Sequence, residues 1–401
     1  MAERVSREKN LDGPRLEELI ATKKIIVCVG SGGVGKTTTS AAIALRAAQM
    51  GKKVCVLTID PAKRLANSMG LKELGNQESR ISKDRLETAG VENVTGQLWA
   101  MMLDTKRTWD DLVTKFAPDE AAKKRILDNH YYQQISSALA GSQEFMAMEK
   151  LYELHESGRY DLLVLDTPPT RHALDFLDAP KKMMGLMDEG VIKLFLTPGL
   201  RAGKLGFGLL KTSGAWMFKI LEKVTGFEVL RDLSDFVGSF AGMYGGFKER
   251  AGKVEALLRE PVTQFLLVTS PNALTVEEAI FFYHRLQEYK LPFGGFVVNR
   301  VHFDPLTKYG AKAEWKRTRK DPSLMLTNLG ASAKGKTAES LAGKMTETFE
   351  NFEALAEVDE QQIALLRDSC QGKHLWRTVP HFEMDVHDLS GLAHVNEFLF
   401  G

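Results

Sequence analysis

The segment Gly30-Ser31-Gly32-Gly33-Val34-Gly35-Lys36-Thr37, continued by Thr38, has the residue types and spacing of a loop that wraps a phosphate chain. Its glycines allow backbone N–H groups to turn inward around phosphate oxygens, and a helix that follows adds the positive end of its dipole. Lys36 is then placed to reach the β- and γ-phosphates, and the Thr37 hydroxyl is placed for Mg2+. Nucleotide hydrolysis also needs carboxylates, one to hold the metal or its water and one to orient the attacking water. Asp60 and Asp166 are the two candidates, each closing a short apolar run, Lys53 to Ile59 and Tyr160 to Leu165. The alternative is that each only terminates its strand at a turn, and the parts of Arg171 and His172 stay open. A second literal match, Gly330 to Thr337, follows a poor strand and has too little chain behind it for another nucleotide domain. It reads as a polar loop before a helix starting near Ala338.

These groups need elements that bring them to one place. Lys23 to Val29 is a β-branched run bounded by glycine, and Thr37 to Met50 is rich in alanine with leucine and isoleucine at helical spacing, so strand, loop and helix follow one another. Asp60 comes about as far after the loop as a strand-helix-strand unit requires, and Pro61 stops the strand and fixes the carboxylate at its tip. In a parallel sheet both carboxylates project at the C-terminal edge, beside the loop. The fold predicted is α/β: a doubly wound, mostly parallel sheet of the P-loop NTPase type with helices on both faces and an inserted α-helical subdomain. Thr275-Val276-Glu277-Glu278 predicts a capping box at the start of the helix after Pro271.

Composition narrows the function classes. Lys plus Arg is 53 and Asp plus Glu is 52, so a net charge of +1 gives no electrostatic argument for nucleic acid or an acidic membrane surface. The basic cluster from Lys308 to Lys320 reads as a solvated helix face or, second, a docking patch. No apolar run approaches the length of a transmembrane helix, and the N-terminal extension, residues 1–22, is charged rather than signal-like, so a cytoplasmic protein is expected. Cys28, Cys55 and Cys370 are widely spaced and form no C-x-x-C pair, which leaves no case for structural zinc or a redox switch.

The phosphate loop with its G-G-V-G-K-T-T core, the D-P-A at Asp60, and Asp166-Thr167-Pro168-Pro169-Thr170-Arg171-His172-Ala173-Leu174 together resemble the ArsA family, which includes arsenical pump-driving ATPases and ATPases that guide tail-anchored membrane proteins. Leu98 to Asp104 is similar to that family's third strand, Phe265 to Thr269 to a later one, and Phe296 to Arg300 to the strand whose asparagine contacts adenine. Val379-Pro380 with Gly391-Leu392 resembles the C-terminal loop over the base. The resemblance implies an ATPase using ATP and Mg2+ over residues 23–401, with Asp60 positioning water, Asp166 serving Mg2+ and Asn299 reading the base. It also implies a dimer, with a lysine at the loop's second position reaching the partner's phosphates. Ser31 stands there instead. The lysine's absence implies slower hydrolysis or another cation in that role, with Lys63, Arg64 and Arg171 as candidates, or a partner that is a related ATPase carrying the lysine, which makes a heterodimer rather than a homodimer.

From about residue 181 to 260 the strand-helix rhythm gives way to an apolar, methionine-bearing, glycine-punctuated helical stretch. Adaptable methionine surfaces suit a hydrophobic client or partner helix, and a helical cap on the sheet reads much the same. In the family's targeting ATPases this region shelters a hydrophobic segment. Three functions follow in order: handling of a hydrophobic protein segment or partner helix, a positional or assembly switch of the ParA or MinD type, and an arsenite pump-driving ATPase.

Overall fold

The computed structural model describes residues 14–59, 64–130, 132–133, 136, 142–168, 243–304, 315, 321 and 336–401. Asp60, Lys63, Arg171, His172, most of the helical insert and the loop part of the second glycine-lysine match lie outside those residues. Eight strands form one sheet: β1 Ile25–Val29, β2 Lys53–Thr58, β3 Ser79–Arg80, β4 Gln97–Met102, β5 Leu162–Asp166, β6 Thr263–Thr269, β7 Phe293–Val301 and β8 Leu375–Pro380. Their spatial order is β3-β4-β2-β5-β1-β6-β7-β8. Every pairing is parallel except that of β3 with β4. β1 is central, and the chain reverses its direction of travel across the sheet on either side of it. That is where a doubly wound sheet opens a crevice at its carboxyl edge.

The strands are continuous hydrophobic runs because both faces are covered. Alternation along each strand then divides the core in two. Ile25, Val27, Val29, Leu163, Leu165, Phe265 and Leu267 face one layer, with the helices Ser142–Glu156, Tyr244–Arg259 and Ala273–Glu288 packed on it. Ile26, Cys28, Val54, Val56, Val164, Leu266 and Val268 face the other, under the helices Lys36–Gln49 and Leu389–Leu399. All five residues of β1 are buried, and each such aliphatic side chain contributes roughly 1.5–3 kcal/mol relative to exposure. Burial also pushes the Cys28 thiol up to about 12, so it behaves as a core hydrophobe.

Two expectations change. The helix after Pro271 starts at Ala273, capped by Asn272, whose side chain accepts from the Leu274 N–H at 3.1 Å. Thr275 is therefore already inside the helix, with its hydroxyl donating to the Ser270 carbonyl at 2.8 Å, and Glu278 is released from any capping role. Val379 and Pro380 end a full strand, β8, and Gly391 and Leu392 lie in a helix; they do not form a loop. β8 is held by a stack of Trp376 on Phe296, centroids 4.4 Å apart, a long-range contact that no local pattern announces. The helix expected near Ala338 starts at Lys336 and runs to Ser369, 34 residues. Ile363 packs on the main core, and Met345 and Phe349 join Trp315 and Ala342, whereas Phe352 and Leu355 are exposed.

Candidate functional site

The phosphate loop leaves the end of β1 and runs into the helix Lys36–Gln49. At Gly30, φ is +149°, and a Cβ there would sit 2.0 Å from the Val268 carbonyl oxygen on β6, so only glycine lets the chain turn out of the sheet. Gly35 caps the helix in a left-handed conformation, φ 97°, and supplies no side-chain acceptor to the first turn. The first-turn N–H groups therefore point toward the loop's interior, where an anion meets both the donors and the dipole. Gly32 and Gly33 are exposed at the loop's tip, Val34 is buried, and Thr37 and Thr38 are half-buried at the helix start.

Lys36 is buried, and its ammonium donates to the Ser31 carbonyl at 2.7 Å. The same Ser31 turns its hydroxyl away from solvent and donates a short hydrogen bond to Glu278 Oε2, from the helix Ala273–Glu288. On the other side of the loop, Asn299 Nδ2 donates to the Val34 carbonyl at 2.9 Å. An irregularity in the β7–β8 ladder between Val298 and Val301, with Arg300 at φ 61°, takes Asn299 out of regular pairing. The residue expected beside a base thus braces the loop in this structure.

Strand register brings the metal-type ligands together. Asp166 pairs with Cys28 across β1 and with Thr58 across β2, so the loop exit and two strand ends are neighbours. Asp166 is buried, and its Oδ2 accepts from both Thr37 Oγ1 at 2.7 Å and Thr58 Oγ1 at 2.8 Å. Two hydroxyls and a carboxylate are hard oxygen donors, and no group of three or more His, Cys, Asp or Glu forms a metal cage among the described residues. That donor set fits Mg2+, which keeps waters and phosphate oxygens and takes few protein ligands. Thr167 backs the arrangement by donating to the Cys28 carbonyl at 2.8 Å.

Sequence reasoning placed Thr37 and Asp166 side by side, and they are. It missed Thr58, although a hydroxyl at the last position of a strand two residues before an acidic tip is a usable signal. It also missed Glu278, which carried no signal beyond its mistaken capping role. Arg64 opens the short helix Arg64–Ser68 at an exposed position.

Comparison with known proteins agrees with this architecture. Residues 23–324 match the model of the ArsA ATPase family, described as anion-transporting ATPase. "ATPase ASNA1 homolog 1" of Paramecium tetraurelia is 26% identical over 283 residues, which is 70% of this chain and 76% of that protein. "ATPase GET3" of Podospora anserina is 26% identical over 297 residues, covering 72% and 77% respectively. "ATPase ARSA2" of Chlamydomonas reinhardtii is 24% identical over 301 residues, 73% of each. With a phosphate loop at the carboxyl edge of a doubly wound sheet and a family match across most of its length, the chain belongs to the ArsA family and is a P-loop ATP hydrolase.

Proposed function

We propose that the chain is an Mg2+-dependent ATPase that couples ATP binding and hydrolysis to a conformational change, used to handle a hydrophobic protein segment or partner helix in the cytoplasm. The observation that carries the site assignment is the pair of hydroxyls, Thr37 and Thr58, on one buried oxygen of Asp166 directly below the loop. In this reading the loop from Gly30 to Thr38 holds the phosphates. Lys36 leaves the Ser31 carbonyl to neutralise the transferring phosphoryl, and Thr37 and Asp166 organise the metal. Mg2+ supplies charge neutralisation on the β- and γ-phosphate oxygens. Asp60, two residues beyond the end of β2, orients the attacking water. Asn299 contacts the base once its amide is released from Val34.

Dimerisation follows from the family resemblance, either with a second copy or with a related ATPase that carries the lysine missing at Ser31. The client reading rests on that resemblance and on the apolar, methionine-bearing composition of residues 181–260. An arsenite role has less support, because Cys28, Cys55 and Cys370 are three separate buried thiols. Among the described residues no helix is long and apolar enough to cross a membrane.

Steady-state hydrolysis by Lys36→Ala tests the site: turnover should fall by orders of magnitude, and wild-type turnover sinks the assignment. Asp60→Asn should bind ATP and hydrolyse it slowly, whereas equal loss of both places Asp60 in binding or structure. Light scattering of Asp60→Asn with and without Mg2+ and ATP tests assembly. A mass that doubles with ATP supports the homodimer, and a monomer that still binds ATP points to a second ATPase as partner. Copurification of short apolar helices supports the client reading, and clean protein with no affinity for such peptides overturns it.

A further inference from the structure

We infer that Glu278 sets the site's preference between nucleoside triphosphate and diphosphate, by holding a fixed negative charge against the second residue of the phosphate loop. The inference rests on the reading of this loop as an ATP site and adds a residue that neither the family motifs nor the strand-end carboxylates include.

Ser31 joins two groups of opposite charge. Its carbonyl accepts from the Lys36 ammonium at 2.7 Å, and its hydroxyl donates to Glu278 Oε2. The carboxylate is therefore separated from the phosphate-binding ammonium by one residue and two hydrogen bonds. Its helix is anchored, because the neighbouring positions Val276 and Ala279 are buried in the core and Asn272 caps the helix start, so the hydrogen bond from Ser31 sets where the carboxylate points. The loop is equally constrained, with Gly30 packed against the Val268 carbonyl. Position 31 is thus tied within its own chain, the residue only 9% exposed.

A terminal phosphoryl group adds about one net negative charge to the Mg2+ complex of the nucleotide. A carboxylate held next to the loop opposes that added charge, so the triphosphate complex is opposed more than the diphosphate complex. At an effective dielectric of about 20, one such pair of charges roughly 12–25 Å apart corresponds to about a threefold to tenfold change in equilibrium. Glu278 accordingly weakens ATP relative to ADP, and Ser31 is the positioning residue that keeps the charge in place.

The test is equilibrium titration of N-methylanthraniloyl ATP and ADP, each with Mg2+, onto the full chain. Wild-type protein that binds neither nucleotide refutes the ATP-site reading itself, and with it the inference. With wild-type binding in hand, Glu278→Gln keeps an acceptor for the Ser31 hydroxyl and removes only the charge. It should raise ATP affinity relative to ADP affinity roughly threefold to tenfold. Ser31→Ala, which frees the carboxylate to swing away, should fall between wild type and Glu278→Gln, and it carries the test should Glu278→Gln not fold. Affinities for ATP and ADP that stay unchanged, or shift together, overturn the inference and leave Glu278 a structural brace of the loop.

Discussion

Replacing Gly35 by alanine should cost about 2–3 kcal/mol of stability, in two separable parts. The first is conformational: φ at Gly35 is +97°, and an L-residue in left-handed backbone costs roughly 1–2 kcal/mol. The second is steric, because the new Cβ would lie 2.2 Å from Asn299 Nδ2, far inside contact distance. Asn299 must then abandon its 2.9 Å hydrogen bond to the Val34 carbonyl, a loss of about 1 kcal/mol. Gly33→Ala is the control: its φ is +76° and a Cβ there meets nothing within 4 Å, so it shows only the conformational part. The assay is urea unfolding of wild type, Gly33→Ala, Gly35→Ala, Asn299→Ala and the Gly35→Ala, Asn299→Ala double variant. Once Asn299 is truncated its hydrogen bond is already lost and the clash is gone. The double variant should therefore be about 1 kcal/mol more stable than the sum of the single effects predicts. Strict additivity, or equal costs for Gly33→Ala and Gly35→Ala, would refute the account of Asn299 as a brace on the loop.

Thr58→Val removes one of two hydroxyls from the buried Asp166 and should cost roughly 1–3 kcal/mol in unfolding experiments, with a higher Mg2+ concentration needed for half-maximal hydrolysis; an unchanged Mg2+ requirement argues against a metal-organising Asp166. Glu149 lies buried between the helices Ser142–Glu156 and Tyr244–Arg259 with Arg250 Nε at 2.7 Å, yet burial outweighs that partner and pushes its carboxyl up to about 7. Because the folded value lies above the unfolded 4.5, the native state holds the extra proton and loses stability as pH rises through that window. Glu149→Gln should therefore gain on wild type between those two pH values by up to about 1.4 kcal/mol per pH unit and stay level above them; a difference independent of pH refutes this. Asp359 accepts from the His302 backbone N–H at 2.7 Å and from His302 Nδ1 at 2.9 Å, tying the long helix to the end of β7. Asp359→Ala leaves that backbone donor without its acceptor, so amide exchange at His302 should accelerate roughly tenfold or more, and unchanged protection would show the tie to be redundant.

Local chemistry fixed a great deal of this protein. Glycine placement, a β-branched run before it and an alanine-rich helix after it are short-range properties, and they located the phosphate loop, the strand that enters it and the helix that leaves it from the residues alone. Asp166 was legible for the same reason, since an apolar run that stops at a carboxylate followed by prolines can only be a strand end. The helix after Pro271 was expected to be capped at Thr275, and the fold caps it three residues earlier, at Asn272. Local rules could flag some of the groups that finish the site, such as Thr58, but not which partner each would meet. Thr58 meets Asp166 across 108 residues, Ser31 meets Glu278 across 247, and Asn299 meets Val34 across 265. Each depends on strand order and register, which are settled by how whole elements bury their faces against one another, and a one-residue slip in β5 would turn Asp166 to the opposite face of the sheet. The sequence thus determined which groups are present and which element ends carry them; packing of distant strands decided which hydroxyl, amide and carboxylate each would touch.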